Sequence, residues 1–183
     1  MDAKAVIFET PGALTVDRVG LADPKVGDVV VKSLYSGIST GTERLLWEGK
    51  MPEFPGLGYP LVPGYETVGE VVETVGPNGL SKGDLVFVPG TSSYKDVRGL
   101  FGGAASQILV DGNRVSAIKG CEPKDATLLA LAATAHHALC LSGSRLPDLI
   151  IGYGVLGRLA ARMVVALGGE PPRIWETDSQ RRS

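Results

Sequence analysis

Three glycines in the frame GYGVLG, Gly152, Gly154 and Gly157, follow directly on the apolar run LII and lead directly into VLGRLAARMVVAL. That order reads as strand, tight turn and helix, and each glycine has a separate task. Gly152 permits the turn, Gly154 lets the main chain approach a pyrophosphate, and Gly157 lets helix and strand pack closely. The amides of Val155, Leu156 and Gly157 open the helix without partners in a preceding turn, and together with the helix dipole they attract phosphate. About twenty residues past the turn the run RIWE ends in Glu176, where an acid accepts hydrogen bonds from both ribose hydroxyls. A carboxylate there disfavours a 2′-phosphate, so NAD is expected over NADP. Arg181 and Arg182 follow closely and offer the opposite charge. Without a ligand, the same residues read as a packing turn and a solvated acid at a strand end.

Other reactive side chains are sparse. Cys121 and Cys140 have no CxxC spacing and lie in or beside apolar runs, so they are expected as reduced, buried thiols. His136 and His137 are the whole histidine supply. As neighbours on a helix they point about 100° apart, so at most one faces any given pocket, and hydrogen bonds to backbone at the helix end are expected of them. Eighteen Lys and Arg against twenty Asp and Glu leave a net charge of −2 with no dense basic tract, which argues against a nucleic-acid partner. The N-terminus carries charges where a secretory signal needs an unbroken apolar run, and the tract LLALAATAHHALCL is too short to span a bilayer. A soluble, cytoplasmic protein without a membrane span is expected.

The elements that must position the glycine turn change character along the chain. From Ala3 to about Asn113 the runs KAVIFE, ALTVDRV, DVVVKSLY, TVGEVVETV, DLVFV and ASQILV read as strands cut by glycine and proline. They predict a partly open β-barrel. GLGYPLVPG and PGTSSYKDVRGLFGG read as loops, and TGTERLLWEG as about two helical turns capped by Thr40 or Thr42. After Pro123 the segment KDATLLALAATAHHALCLSG reads as a buried helix stopped by Gly143, followed by the opening β-α-β of a doubly wound sheet. The boundaries read from this are 1–122 for the barrel, 123–144 for a connecting helix and 145–183 for an incomplete nucleotide-binding domain.

With these pieces in order, the chain resembles the medium-chain dehydrogenase/reductase superfamily, a GroES-like β-barrel followed by a Rossmann domain. The resemblance rests on five ordered anchors: Gly64-Tyr65-Glu66-Thr67-Val68-Gly69, Gly83-Asp84-Leu85-Val86, Gly103-Ala104-Ala105, Thr134-Ala135-His136-His137-Ala138-Leu139 and the glycine turn. It implies that Thr134 lies near the cofactor. Zinc-dependent members carry a cysteine where this chain has Ser39, a histidine at Tyr65, and a cysteine or acid near Ala130. A Ser hydroxyl, a phenol and a methyl group are not competent zinc ligands, so the catalytic zinc is expected to be absent. Residues 90–102, where some members bind a structural zinc, contain no cysteine. Glu66 keeps its family identity and is expected to make an internal hydrogen bond.

Within the superfamily, SGISTGTE and YPLVPGYETVG look most like the zinc-free branch that oxidises the 3-(1-hydroxyethyl) group of a bacteriochlorophyllide to 3-acetyl, with hydride passing to NAD. The resemblance places the hydroxyls of Ser39, Thr40, Thr42 and Tyr65 around the vacated metal position. Ser39, Thr42 and Tyr65 are the expected catalytic group, with Tyr65 taking the alcohol proton if a neighbouring positive charge favours its phenolate. The plain alternative is that Tyr65 fills the volume of the missing metal site, its hydroxyl satisfied by Glu66 or backbone. The carbinol carbon of such a substrate is attached to a conjugated macrocycle, which delocalises the charge left by hydride and asks less of the protein.

A complete domain of the Rossmann kind has about six strands, and this sequence ends, in TDSQRRS, after what reads as the second. A truncated member is expected. Its exposed sheet edge offers self-association or a protein partner, and the apolar faces of LII and of the helix through Met163 and Leu167 should be partly uncovered. Two other functional classes stand beside the dehydrogenase: a non-catalytic GroES-like module, and a zinc-free NADPH-dependent quinone or enone reductase.

Overall fold

The computed structural model describes residues 1–141, 143 and 145–181. The chain divides into two units, Met1–Thr127 and Leu128–Ser183. The first holds β1 (Asp2–Thr10), β2 (Ala13–Gly20), β3 (Asp28–Ser36), α1 (Thr42–Trp47), β4 (Leu61–Val62), β5 (Thr67–Thr74), β6 (Leu85–Val88), β7 (Arg98–Gly99), β8 (Gln107–Asp111), β9 (Ser116–Ala117) and α2 (Pro123–Ala126). All six strands expected from the sequence form, and the short β4, β7 and β9 are added from segments read as loops or left unassigned.

These strands make two sheets, one in the order β8-β3-β5-β6-β9 and one in the order β2-β1-β4-β7. In β3 the consecutive β-branched residues Val29, Val30 and Val31 are all buried. An unbroken Val run suits a strand covered on both faces, and here β5 and β8 flank it on its two edges. The bridge Ala5↔Ala105 ties the sheets together. Between them Ala3, Ile7, Leu21, Val71, Val86, Ile108 and Val110 complete the core, and Phe8, Leu46, Leu61 and Leu100 form a smaller cluster under α1. That cluster anchors α1 by Leu46, which is fully buried.

The second unit holds α3 (Leu129–Leu141), β10 (Leu149–Ile151), α4 (Val155–Ala166) and β11 (Arg173–Trp175). β10 and β11 run parallel, with Leu149 opposite Arg173 and Ile151 opposite Trp175. The β-α-β opening read from the glycine turn is therefore present. α3 packs against α4, but it departs from the expected buried helix: only Ala135 and Leu139 are buried along it. Apolar residues are spread around the helix and not gathered on one face, and α4 covers one side of it. The uncovered apolar faces expected of this unit are found, with Ile151 76% and Trp175 67% exposed. No helix among the described residues is long and apolar enough to cross a membrane.

Candidate functional site

The SGISTGTE loop leaves β3 and turns into α1, while the GYETVG frame enters β5, and the two segments cross. The Gly37 amide donates to the Glu66 carbonyl at 2.9 Å, fixing the crossing. Gly64 sits at φ 95°, and an added Cβ there would press on the Ala104 amide, so this is a left-handed conformation in a crowded place where glycine is the favoured residue. Thr67 anchors the frame by donating its hydroxyl to the Gly103 carbonyl at 2.7 Å, which leaves the Ser36 hydroxyl, 3.1 Å away, as the donor to Thr67.

The three expected catalytic hydroxyls come together at this crossing. Tyr65 is half-buried, its hydroxyl 3.4 Å from Thr42 Oγ1, and its ring meets Phe101 edge to face at 5.6 Å. Ser39 Oγ accepts the Thr42 amide at 3.3 Å. The helix start was expected to be capped by Thr40 or Thr42. Instead Gly41 is the N-cap, with no side-chain cap, and Ser39 supplies the nearest oxygen. Thr40 is exposed.

Two details depart from expectation. The Tyr65 hydroxyl meets Thr42 and not Glu66 or backbone, and Glu66 Oε1 is buried without a hydrogen-bond partner. The expected internal hydrogen bond of Glu66 is therefore missing at that oxygen, while its other oxygen lies against Gly37. A second buried acid, Glu43, was not anticipated. Neither of its oxygens makes a full hydrogen bond; burial, with the nearby Glu66 charge, pushes its carboxyl up against the opposing pull of the Glu43 and Ser39 amides, and burial does the same to Glu66. The signal available in sequence was an acid directly after Thr42, separated only by Arg44 from the apolar LLW. Glu43 also lines a largely apolar cavity of about 490 Å³, together with Val6, Phe8, Leu34 and Ile38. Ser39, Thr42 and Tyr65 are not among that cavity's lining residues.

In the second unit the glycine turn has the geometry its spacing predicts. Gly152 lies at φ 92°, and a Cβ on Gly157 would collide with the Gly152 carbonyl. α4 begins at Val155 with no side-chain cap on Gly154, and the first intrahelical amide bond runs from Arg158 to the Gly154 carbonyl. The amides of Val155, Leu156 and Gly157 therefore point out of the helix start, as a phosphate cradle requires. Glu176 ties the end of β11 to this turn: Oε2 accepts the Tyr153 amide at 2.6 Å and Oε1 accepts the Asp178 amide at 2.9 Å. These amides, Asp178 first, hold its carboxyl below the usual range. Oε1 also accepts the Thr177 hydroxyl at 3.5 Å, so a ribose hydroxyl would share this carboxylate with donors of the chain itself.

Arg158 lies with its guanidinium 5.0 Å from the Tyr153 ring centre and donates to the Tyr153 carbonyl at 3.2 Å, a contact the sequence did not announce. The Arg181 guanidinium stands beside Gly154, and Arg182 falls outside the described residues. These residues fit a dinucleotide.

On α3, Thr134 is exposed and donates to the Ala130 carbonyl at 3.0 Å. His136 was expected to bond to backbone, but its ring approaches Cys140 Sγ at 3.7 Å, one helical turn away on the same face. Cys121 and Cys140 are both free, as expected, but exposed and not buried. Cys121 lies in the turn before α2, and Cys140 is on a face of α3 that nothing in its own unit covers. Among the described residues no group of three His, Cys, Asp or Glu side chains is arranged to hold a metal ion.

Residues 25–120 match the alcohol dehydrogenase GroES-like domain. Over its whole length the chain is 50% identical to a 2-desacetyl-2-hydroxyethyl bacteriochlorophyllide A dehydrogenase from Rhodobacter capsulatus, and 49% identical to the one from Cereibacter sphaeroides. It spans 59% of the length of each of these relatives. Among solved structures it is similar to a zinc-binding dehydrogenase from Sinorhizobium meliloti bound to NADP. That match has 25% identity and a TM-score of 0.79, and covers 100% of this chain and 58% of the other. The fold also matches 2R,3R-butanediol dehydrogenase from Bacillus subtilis at 22% identity and a TM-score of 0.81, covering 98% of this chain and 59% of the other.

Proposed function

The chain belongs to the alcohol dehydrogenase GroES-like family, and from that premise we propose that it carries the catalytic domain and the start of the cofactor domain of an NAD-dependent dehydrogenase. The substrate is a bacteriochlorophyllide whose 3-(1-hydroxyethyl) group is oxidised to 3-acetyl. The observation that carries this reading is the 50% identity, running across the whole chain, to the Rhodobacter capsulatus bacteriochlorophyllide dehydrogenase.

The chemistry is divided between the units. Gly152, Gly154 and Gly157 with the amides of Val155 and Leu156 hold the pyrophosphate, Glu176 holds the ribose, and Thr134 belongs to the same cofactor site. The bound cofactor supplies the hydride acceptor. Tyr65, as its phenolate, takes the alcohol proton and becomes the neutral phenol, and Thr42, whose hydroxyl touches it, orients it from a helix start that Ser39 steadies. No zinc is needed in this scheme, since Ser39 and Tyr65 stand where zinc-dependent members carry ligands.

NAD is favoured because the Glu176 carboxylate is fixed at the turn and ionised. Arg181, beside Gly154, is the feature that favours NADP, whether in this reaction or in a quinone or enone reductase. A non-catalytic module is the remaining reading, and the exposed apolar residues of β10 and β11 favour it, since they suit a protein partner.

The test is a fluorescence titration of the 183-residue chain with NADH beside NADPH, followed by incubation with the hydroxyethyl pigment and NAD and separation of the products. Saturable binding with NADH the tighter ligand, and formation of the acetyl pigment, are expected. Folded protein that binds neither nucleotide would overturn the reading in favour of the non-catalytic module.

A further inference from the structure

Two buried carboxyls at the crossing of the first unit take no part in the scheme above. Glu43 is 7% exposed and Glu66 4%, and three of their four oxygens are buried without any hydrogen-bond partner. An ionised carboxylate removed from water requires a cation, a set of donors or a proton. Among the described residues no ion pair involves either acid. The charged and titratable groups nearest them are Arg44 of α1, Glu48 at its C-cap, Tyr65, and Lys4 and Tyr35 on the cavity wall. Arg44 is engaged at 2.7 Å by Glu48.

The fold builds this arrangement from two consecutive pairs, Thr42-Glu43 and Tyr65-Glu66. The hydroxyls of Thr42 and Tyr65 meet at 3.4 Å, and each is followed in the chain by one of the two acids, with Glu43 in the field of Glu66. Space for the second acid is created by Gly37, where any Cβ would strike the Glu66 carboxylate. Gly37 and Glu43 both line the cavity of the first unit, which gives the pair access to exchangeable protons. Two buried carboxyls so placed, with no ion pair to either among the described residues and only the Glu43 and Ser39 amides close enough to favour the charge on Glu43, resist carrying two negative charges at once.

We propose that Glu43 and Glu66 share a single proton at neutral pH, so that one negative charge and not two stands behind the Ser39, Thr42 and Tyr65 hydroxyls, and that this charge sets the pH at which the cluster accepts the alcohol proton. Both glutamates are positioning residues in this scheme. The second part rests on the functional reading above; the shared proton does not.

The test is infrared spectroscopy of the 183-residue chain, at neutral pH and through an alkaline titration, on the carbonyl stretch of un-ionised carboxyl. A band of about one group at neutral pH, lost on alkaline titration and absent from the folded double variant E43Q/E66Q, is expected. No such band in the wild-type chain at neutral pH overturns the proposal and needs no variant to fold. A band that persists in the double variant overturns it as well.

For the link to the alcohol, kcat/KM for the pigment is followed against pH in E66Q. A shift of the profile by about one pH unit or more, with little change in KM, supports it. An unchanged profile overturns that link. A wild-type chain that binds cofactor but never oxidises the pigment overturns the functional reading and the link together, while the infrared band still decides the shared proton.

Discussion

Tyr65 combines two roles that one substitution separates. Its ring packs edge to face on Phe101 and its hydroxyl meets Thr42, so Tyr65→Phe keeps the packing and removes the oxygen. The loss in stability should be about 1 kcal/mol or less, the net worth of one hydrogen bond, while kcat for pigment oxidation should fall by about a hundredfold if the hydroxyl is the acid–base group. Steady-state kinetics beside thermal melts checks this, and a wild-type rate would make Tyr65 a space filler. The buried acids give a prediction of definite sign. Folding raises the proton affinity of Glu43 and Glu66, so the folded chain is favoured when they are protonated. Their contribution is fully present below about pH 4.3, the ordinary glutamate value, and is lost as pH rises through their folded values above it. Glu43→Gln should therefore raise Tm at alkaline pH, with the gain vanishing in acid; a gain of equal size at both ends would contradict the assignment. Glu176 has the opposite sign, since its lowered value gives stability above the ordinary range that is lost on acidification. At this scale the sequence disclosed Tyr65, Glu66 and the glycines through their motifs. It did not disclose Glu43, whose burial depends on how the SGISTGTE loop crosses the GYETVG frame.

Elements were legible where one local signal decided them. The Val-rich runs of β3 and β5 and the glycine turn before α4 formed as read, because β-branched runs and a spaced glycine triplet leave few alternatives. The start of α1 was read less well: threonines looked like caps, but the loop geometry puts Gly41 in the capping position and turns Ser39 toward the helix amides. α3 was misread in burial for a related reason, since an apolar sequence sets what a helix can bury and its neighbours decide what it does bury. The glycine turn yields the element-scale prediction. Gly157→Ala would drive a Cβ into the Gly152 carbonyl, so α4 must shift away from the turn. Affinity for NADH should fall by about tenfold or more as the amides of Val155 and Leu156 lose their aim. Titration of the variant decides this, and unchanged affinity in a folded variant would mean that the cradle tolerates the shift and that close packing there is not needed for binding.

For the whole molecule, the two units differ in how their backbone hydrogen bonds are protected, and that difference is measurable. In the first unit β3 is bonded along both edges and its residues Val29, Val30 and Val31 are at most 1% exposed. In the second, among the described residues β10 and β11 pair only with each other, over three residues, and Leu149, Ile151, Ile174 and Trp175 are all exposed. Amides in a strand of the first kind exchange only when a large part of the sheet opens, whereas a two-stranded ladder opens locally. Hydrogen exchange read by mass spectrometry should therefore show peptides from β3, β5 and β8 protected longest and peptides from β10 and β11 exchanging early, by about two orders of magnitude or more in rate. The pattern should also respond to protein concentration if the exposed strands are covered by a second copy: protection of β10 and β11 would rise with concentration while that of β3 stayed constant. Equal, concentration-independent protection of the two sheets would show that three paired residues and one helix suffice to hold the second sheet, and the case for a partner at its edge would lapse.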